Sequence, residues 1–142
     1  MAVESSADAT WNGDLMGGSG TVRVASGAIG EQALTWRARA ESRESGTSPE
    51  ELIAAAHAGC FAMALSFGLA QAGHAPERLD TSARVGFQPG DGITGIRLTV
   101  RGRVPGIDAE AFRQAAQAAK EGCPVSKALA AVPISLEASL EG

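Results

Sequence analysis

Tyrosine is absent from this chain, and aromatic residues of any kind make up only 4% of it. The large planar side chains that dominate many cores and recognition surfaces therefore have little part in the fold. With 18 glycines and 44% hydrophobic residues, the expected core is built from small aliphatic side chains between many turns. No run of Lys or Arg occurs, and 12 basic against 16 acidic residues leave a net charge of −4. A nucleic-acid partner is not expected, since nothing is placed to track a phosphate backbone. The first ten residues lack the apolar stretch of a secretory signal or transit peptide and carry Glu4 and Asp8, so a cytoplasmic address is the expectation. No long uninterrupted apolar run exists either. Residues 52–70 come nearest, but they contain His57 and Ser66 and are rich in alanine, which suits a buried central helix better than a membrane span.

Cysteine is scarce as well, with 2 residues, Cys60 and Cys123, far apart in the chain. In a reducing compartment such a pair is a poor structural staple, which leaves reactive thiols or buried small hydrophobes.

What is present reads as one domain of 142 residues in the α+β class. Three short segments at 9–13, 21–25 and 34–40 are punctuated by glycine and serine and read as antiparallel strands. In the third, Leu34, Trp36 and Ala38 alternate with Thr35, Arg37 and Arg39, which puts two guanidiniums on one strand face. A helix follows with Ser48 as N-cap, Pro49 at the first position and Glu51 completing a capping box, running to about Gly73. Its apolar residues wrap nearly all round, as expected of a helix buried on most faces. Residues 79–88 and 93–104 form a hairpin across Pro89-Gly90-Asp91-Gly92. Asp108 caps a second helix that Gly122 ends, Cys123-Pro124 opens a short third one, and 132–140 closes the chain as a strand.

Mid-helix, Cys60 receives no help from the backbone, so a reactive thiolate there requires a cation from elsewhere in the fold, Arg37 or Arg39. Cys123 lies at a helix N-terminus, where unpaired amides favour the thiolate, and on local physics it is the more acidic thiol. Glu50 either serves the helix dipole or orients an arginine, because Glu51 already serves the capping box. Ten residues of ideal helix put Glu50 about 15 Å from Cys60 along the axis, so either an arginine bridges the gap or a partner subunit contributes its own Glu50. A thiol peroxidase needs an attacking thiolate, a positive group at the leaving oxygen and a second thiol to condense with the sulfenic acid, and this chain carries all three. His57, three residues before Cys60, also allows a metal pair or a Cys-His nucleophile, but zinc would need two further ligands without a close pair to supply them. The bland reading of His57 is a satisfied helix residue.

The run Ser48-Pro49-Glu50-Glu51-Leu52, then Ala54-Ala55-Ala56-His57-Ala58-Gly59-Cys60-Phe61, and later Gly122-Cys123-Pro124-Val125-Ser126, closely resembles the OsmC family. Trp11-Asn12-Gly13-Asp14 and Val104-Pro105-Gly106-Ile107-Asp108 extend the likeness over nearly the whole chain, and the Ala-His-Ala and Gly-Cys-Pro-Val-Ser runs favour OsmC over its sister group Ohr. The resemblance implies a single OsmC-like domain over 1–142, with antiparallel sheets around long buried central helices in an intertwined homodimer. It further implies a hydroperoxide reductase acting on organic hydroperoxides and less efficiently on hydrogen peroxide. No metal or organic cofactor is implied, and a dithiol or lipoylated protein is the expected reductant. Carried over by motif, Cys60 is the peroxidatic thiol, Cys123 the resolving one, and Glu50 the acid that pairs with an arginine, best aligned at Arg39. Two other readings compete: a non-catalytic protein binding a small hydrophobic ligand, and a metal site at His57 and Cys60.

Overall fold

The computed structural model describes residues 2–41 and 46–141. Two compact units divide the chain at Leu52 and Ile53.

The first unit holds a three-stranded antiparallel sheet in the order β1 (Ala7–Asn12), β2 (Ser19–Val24), β3 (Gln32–Leu34). Asn12 pairs with Ser19 across a turn that the Trp11 indole clamps, its Nε1–H donating to the carbonyls of Gly13 at 3.0 Å and Asp14 at 3.2 Å. Gly13 takes a φ of +90° there, a conformation natural to glycine. The expected strand over 34–40 is corrected. β3 stops at Leu34, and a short helix α1 (Trp36–Ala40) follows. Thr35 causes the switch: its backbone stays extended while its Oγ1 accepts the Ala38 amide at 3.0 Å, which caps the helix. A period of two thus becomes a helical one, and Arg37 and Arg39, about 200° apart around the axis, do not share a face.

Helix α2 (Pro49–Gln71) starts as its sequence dictates, with the Ser48 hydroxyl accepting the Glu51 amide at 3.1 Å. The Glu51 carboxylate accepts the Thr47 hydroxyl at 2.7 Å.

The second unit contains the rest of α2 and a sheet in the order β4 (Arg78–Gln88), β5 (Gly92–Arg103), β6 (Ile134–Leu140), with β4 antiparallel and β6 parallel to β5. Between β5 and β6 run α3 (Ala109–Gly122), whose first-turn amide of Ala111 bonds Asp108 at 2.8 Å, and α4 (Pro124–Ala128). The core joins Phe61, Leu65 and Leu69 of α2 to Ile96, Leu98 and Val100 of β5 and to Phe112, Ala116 and Ala119 of α3. Spaced by four, the α2 residues form one stripe, continued by His57. The rest of the helix departs from expectation, since Met63 is 75% and Phe67 66% exposed. Sheet and α3 cover a single side, so an apolar sequence all round the helix is buried along one stripe. Among the described residues, α2 is the one helix long and apolar enough to cross a membrane by length and composition.

Candidate active site

Two constellations of reactive side chains form, one in each unit. In the first, α1 and the opening turn of α2 bring Arg39 onto Glu50. The guanidinium donates from Nε to Oε1 at 3.0 Å and from Nη2 to Oε2 at 2.9 Å, a two-point grip that holds both planes in register. Glu50 is 1% exposed and Arg39 34%, so the carboxylate is withdrawn from water while the guanidinium keeps one side open. A buried carboxylate is tolerable only with such a partner. Glu50 thus pairs with Arg39 as well as standing in the first turn of α2. Arg37, on the other side of α1, is exposed. Trp11, Leu15, Leu34, Trp36 and Pro49 line a mostly apolar pocket of about 300 Å³ with Arg39 at its wall.

In the second unit, α2 presents Cys60 and the start of α4 presents Cys123. The sulfurs, 63 positions apart in sequence, lie 2.8 Å from each other as free thiols. A covalent disulfide at about 2.05 Å requires a sub-ångström approach from there. Burial pushes the Cys60 thiol up, and its hydrogen bond with Cys123 adds to that, against a smaller downward pull from the Val125 amide. For Cys123 burial also acts upward, but the hydrogen bond with Cys60, the Ser126 amide and hydroxyl and the Val125 amide together bring it below the ordinary thiol value. Sγ makes no full capping hydrogen bond, so these amides act from slightly further off. Of the two thiols, Cys60 is the one pushed up and Cys123 the one drawn down. Among the described residues of this unit, none of the groups acting on Cys60 is a cation.

His57 and Ser126 complete this cluster. His57 is wholly buried, and its Nε2 lies 2.7 Å from Ser126 Oγ. Burial lowers its pKa, so the ring is neutral. On sequence grounds His57 is either a metal or nucleophile partner of Cys60 or a satisfied helix residue, and Ser126 enters only as part of the Gly-Cys-Pro-Val-Ser run. A signal existed in the spacing: His57 precedes Cys60 by three residues, and Ser126 follows Cys123 by three, so on helices each polar residue shares a face with its thiol. For the metal reading, His57 Nε2 faces a hydroxyl, and no group of three or more His, Cys, Asp or Glu residues that could hold an ion occurs among the described residues. A wider groove of about 670 Å³ along the second sheet is lined by Asp80, Ser82, Thr99, Arg101 and Glu137 and contains no thiol.

Comparison with known proteins adds a family to this geometry. Residues 42–137 match the family described as OsmC-like protein. The chain is 46% identical over 134 residues to Peroxiredoxin OsmC of Escherichia coli (strain K12), covering 92% of this chain and 93% of that protein. Solved structures share the fold: an OsmC-like protein from Mycoplasma pneumoniae (TM-score 0.72, 17% identity, all of both chains) and the organic hydroperoxide resistance protein OhrB of Bacillus subtilis (TM-score 0.67, 24% identity, 96% and 98% of the two chains).

Proposed function

The chain belongs to the OsmC family, and on that premise we propose that it reduces organic hydroperoxides through Cys60 and Cys123, with hydrogen peroxide a poorer substrate. It is a thiol-dependent, hydroperoxide-reducing peroxidase, in line with its curated relatives' name of peroxiredoxin. The observation that carries the pairing is the 2.8 Å separation of two free sulfurs so distant in sequence, while the choice of Cys60 as the attacking thiol follows the family resemblance. The Cys60 thiolate attacks the terminal peroxide oxygen, an S–O bond forms as O–O breaks, and the alkoxide leaves to become the alcohol. Cys123 then attacks the sulfenic sulfur, expelling hydroxide and closing a disulfide that a dithiol or lipoylated protein reopens. A cycle that needs dithiol reductant suits the cytoplasm.

Arg39, held by Glu50, supplies the positive charge that favours the Cys60 thiolate and the departing alkoxide. Residues 1–142 act as one OsmC-like domain in a homodimer, in which Glu50 and Arg39 of one subunit serve the cysteine of the other. The pocket beside Arg39, apolar and bounded by two tryptophans, suits the hydrocarbon body of an organic hydroperoxide. The test is a pair of variants. Cys60→Ser is expected to abolish turnover of an organic hydroperoxide, and Cys123→Ser to leave one turnover per subunit with a sulfenic acid trapped by a dimedone probe. Full activity in Cys60→Ser refutes the assignment. A thiol pair resistant to alkylation at neutral pH would favour a ligand-binding protein instead.

A further inference from the structure

His57 is the buried titratable group that the peroxidase cycle leaves without a task. It contacts neither thiol in a bond of its own, yet its ring is fully enclosed, and its Nδ1 has no hydrogen-bond partner among the described residues. Its Nε2 is committed to Ser126 Oγ at 2.7 Å. Ser126 is itself nearly buried and sits three residues after Cys123, in the turn that opens α4.

The two tautomers of a neutral imidazole have different consequences here. If Nε2 were bare, the Ser126 hydroxyl would donate to it, Ser126 would have no hydrogen for Cys123, and a buried N–H would be left unpaired at Nδ1. With the proton on Nε2, the ring donates to Ser126 Oγ and the hydroxyl hydrogen is free to turn toward the sulfur. The unpartnered atom is then only a lone pair, the less costly group to leave unpaired. The second arrangement satisfies more of the cluster.

We propose that His57 is a positioning residue for the resolving thiol: as the Nε2–H tautomer it holds the Ser126 hydroxyl so that its hydrogen points at Cys123 Sγ. The row His57–Ser126–Cys123 is then a chain of donors ending on the sulfur that must act as a thiolate, with Cys60 Sγ 2.8 Å beyond it. Cys123 is the N-cap of α4 and Ser126 its third helical residue, the position whose side chain lies nearest the cap, and the Ser126 hydroxyl is among the groups that lower the Cys123 thiol. Among the described residues, the titratable group acting on the sulfur is Cys60 from α2, and His57 stands one hydrogen bond further off through Ser126.

The row serves two steps of the cycle, and the inference rests on the peroxidase reading for them. In resolution, the Cys123 thiolate attacks the sulfenic sulfur of Cys60, S–S forms, S–O breaks, and hydroxide leaves to take up a solvent proton as water. In reduction, one thiolate of a dithiol attacks Cys60, S–S breaks, and the electron pair goes to Cys123, which departs as the stabilised thiolate. A hydroxyl aimed at Cys123 favours the thiolate that attacks in the first step and leaves in the second.

The decisive measurement does not need peroxidase activity. In a Cys60→Ser background, the Cys123 thiolate is titrated by its absorbance near 240 nm and by the pH dependence of iodoacetamide alkylation. His57→Leu and Ser126→Ala are each expected to raise the midpoint by about one pH unit, the size expected from losing one hydrogen bond to a charged acceptor. His57→Gln, which keeps a side-chain N–H, and Ser126→Thr, which keeps the hydroxyl, are expected to restore most of the shift. In the two-cysteine protein, the single-turnover rate of disulfide closure after the peroxide burst should fall about threefold at neutral pH in His57→Leu. A tenfold loss of thiolate is partly offset by the higher nucleophilicity of a more basic thiol. Unshifted titration in both Ser126→Ala and His57→Leu overturns the proposal, as does a Gln variant shifted as far as Leu, which would mark His57 as packing alone. If His57→Leu fails to fold, Ser126→Ala with its Thr counterpart decides on its own. A parent protein that shows no burst with any hydroperoxide fails the peroxidase reading, while the titration still decides whether the row tunes Cys123.

Discussion

At the scale of single residues, the burial of Cys60 creates the demand that the proposed role of Arg39 and Glu50 would meet. Burial disfavours the Cys60 thiolate, so the second unit alone leaves the attacking sulfur protonated near neutrality. Raising a thiol's pKa lowers the thiolate fraction at neutral pH and restores it in alkali. Arg39→Met is therefore expected to move the acid limb of the kcat/KM profile for an organic hydroperoxide upward by about one to three pH units, the range of an opposite charge at close range. The activity lost at pH 7 should return in part near pH 9, and a profile that keeps its midpoint would separate Arg39 from the thiolate. Glu50→Gln keeps the shape but removes the charge that fixes the guanidinium. Its expected effect is a fall of about tenfold or more in kcat/KM, since a misaimed donor forfeits stabilisation made mainly in the transition state.

At the scale of elements, α3 packs on the second sheet with its Phe112 ring directly over Gly102 of β5. A Cβ on Gly102 of β5 would stand 2.6 Å from the Phe112 ring, which is fully buried and has no room to retreat. Gly102→Ala should cost about 1–3 kcal/mol in urea unfolding, and pairing it with Phe112→Leu should recover part of that loss. Full additivity of the two changes would show that the ring is not what the methyl meets. The legibility of elements followed the same local chemistry. Ser48, Pro49 and Asp108 start helices by side-chain bonds to nearby amides, and the 78–103 hairpin is set by its alternation and its glycine turn, so both could be read from neighbours in sequence. Residues 34–40 could not, because their apolar alternation points to a strand and only the Thr35 hydroxyl, in a five-residue helix, turns it. The motifs name Cys60, Cys123, Arg39 and Glu50 as candidates, and the structure brings them together in two pairs, Cys60 with Cys123 and Arg39 with Glu50. The His57–Ser126 contact was not legible, because it joins α2 to α4 across 69 positions, a pairing that no local pattern carries.

At the scale of the whole molecule, the exposed side of α2 and the division of labour between the units bear on one question. Met63 and Phe67, four residues apart, project on the same side of the helix and remain largely bare. In a protein that stayed monomeric, replacing two such surface residues by glutamates would change stability by only about 0.5 kcal/mol each. Buried against a second copy, the same charges carry a desolvation cost of several kcal/mol and break the assembly. Met63→Glu with Phe67→Glu is therefore expected to convert a dimer to a monomer in sedimentation equilibrium. If the proposed homodimer is the active form, turnover should be lost with it, because Cys60 would lose the charge of a partner's Arg39 and Glu50. The two thiols belong to one chain, however, and their 2.8 Å approach needs no partner. A slow disulfide-exchange oxidant such as oxidised glutathione should still close the Cys60–Cys123 bond in the monomer. Loss of peroxide turnover with retained disulfide closure is the signature of a site shared between chains, and a monomeric variant with full peroxidase activity would place every catalytic group within one subunit.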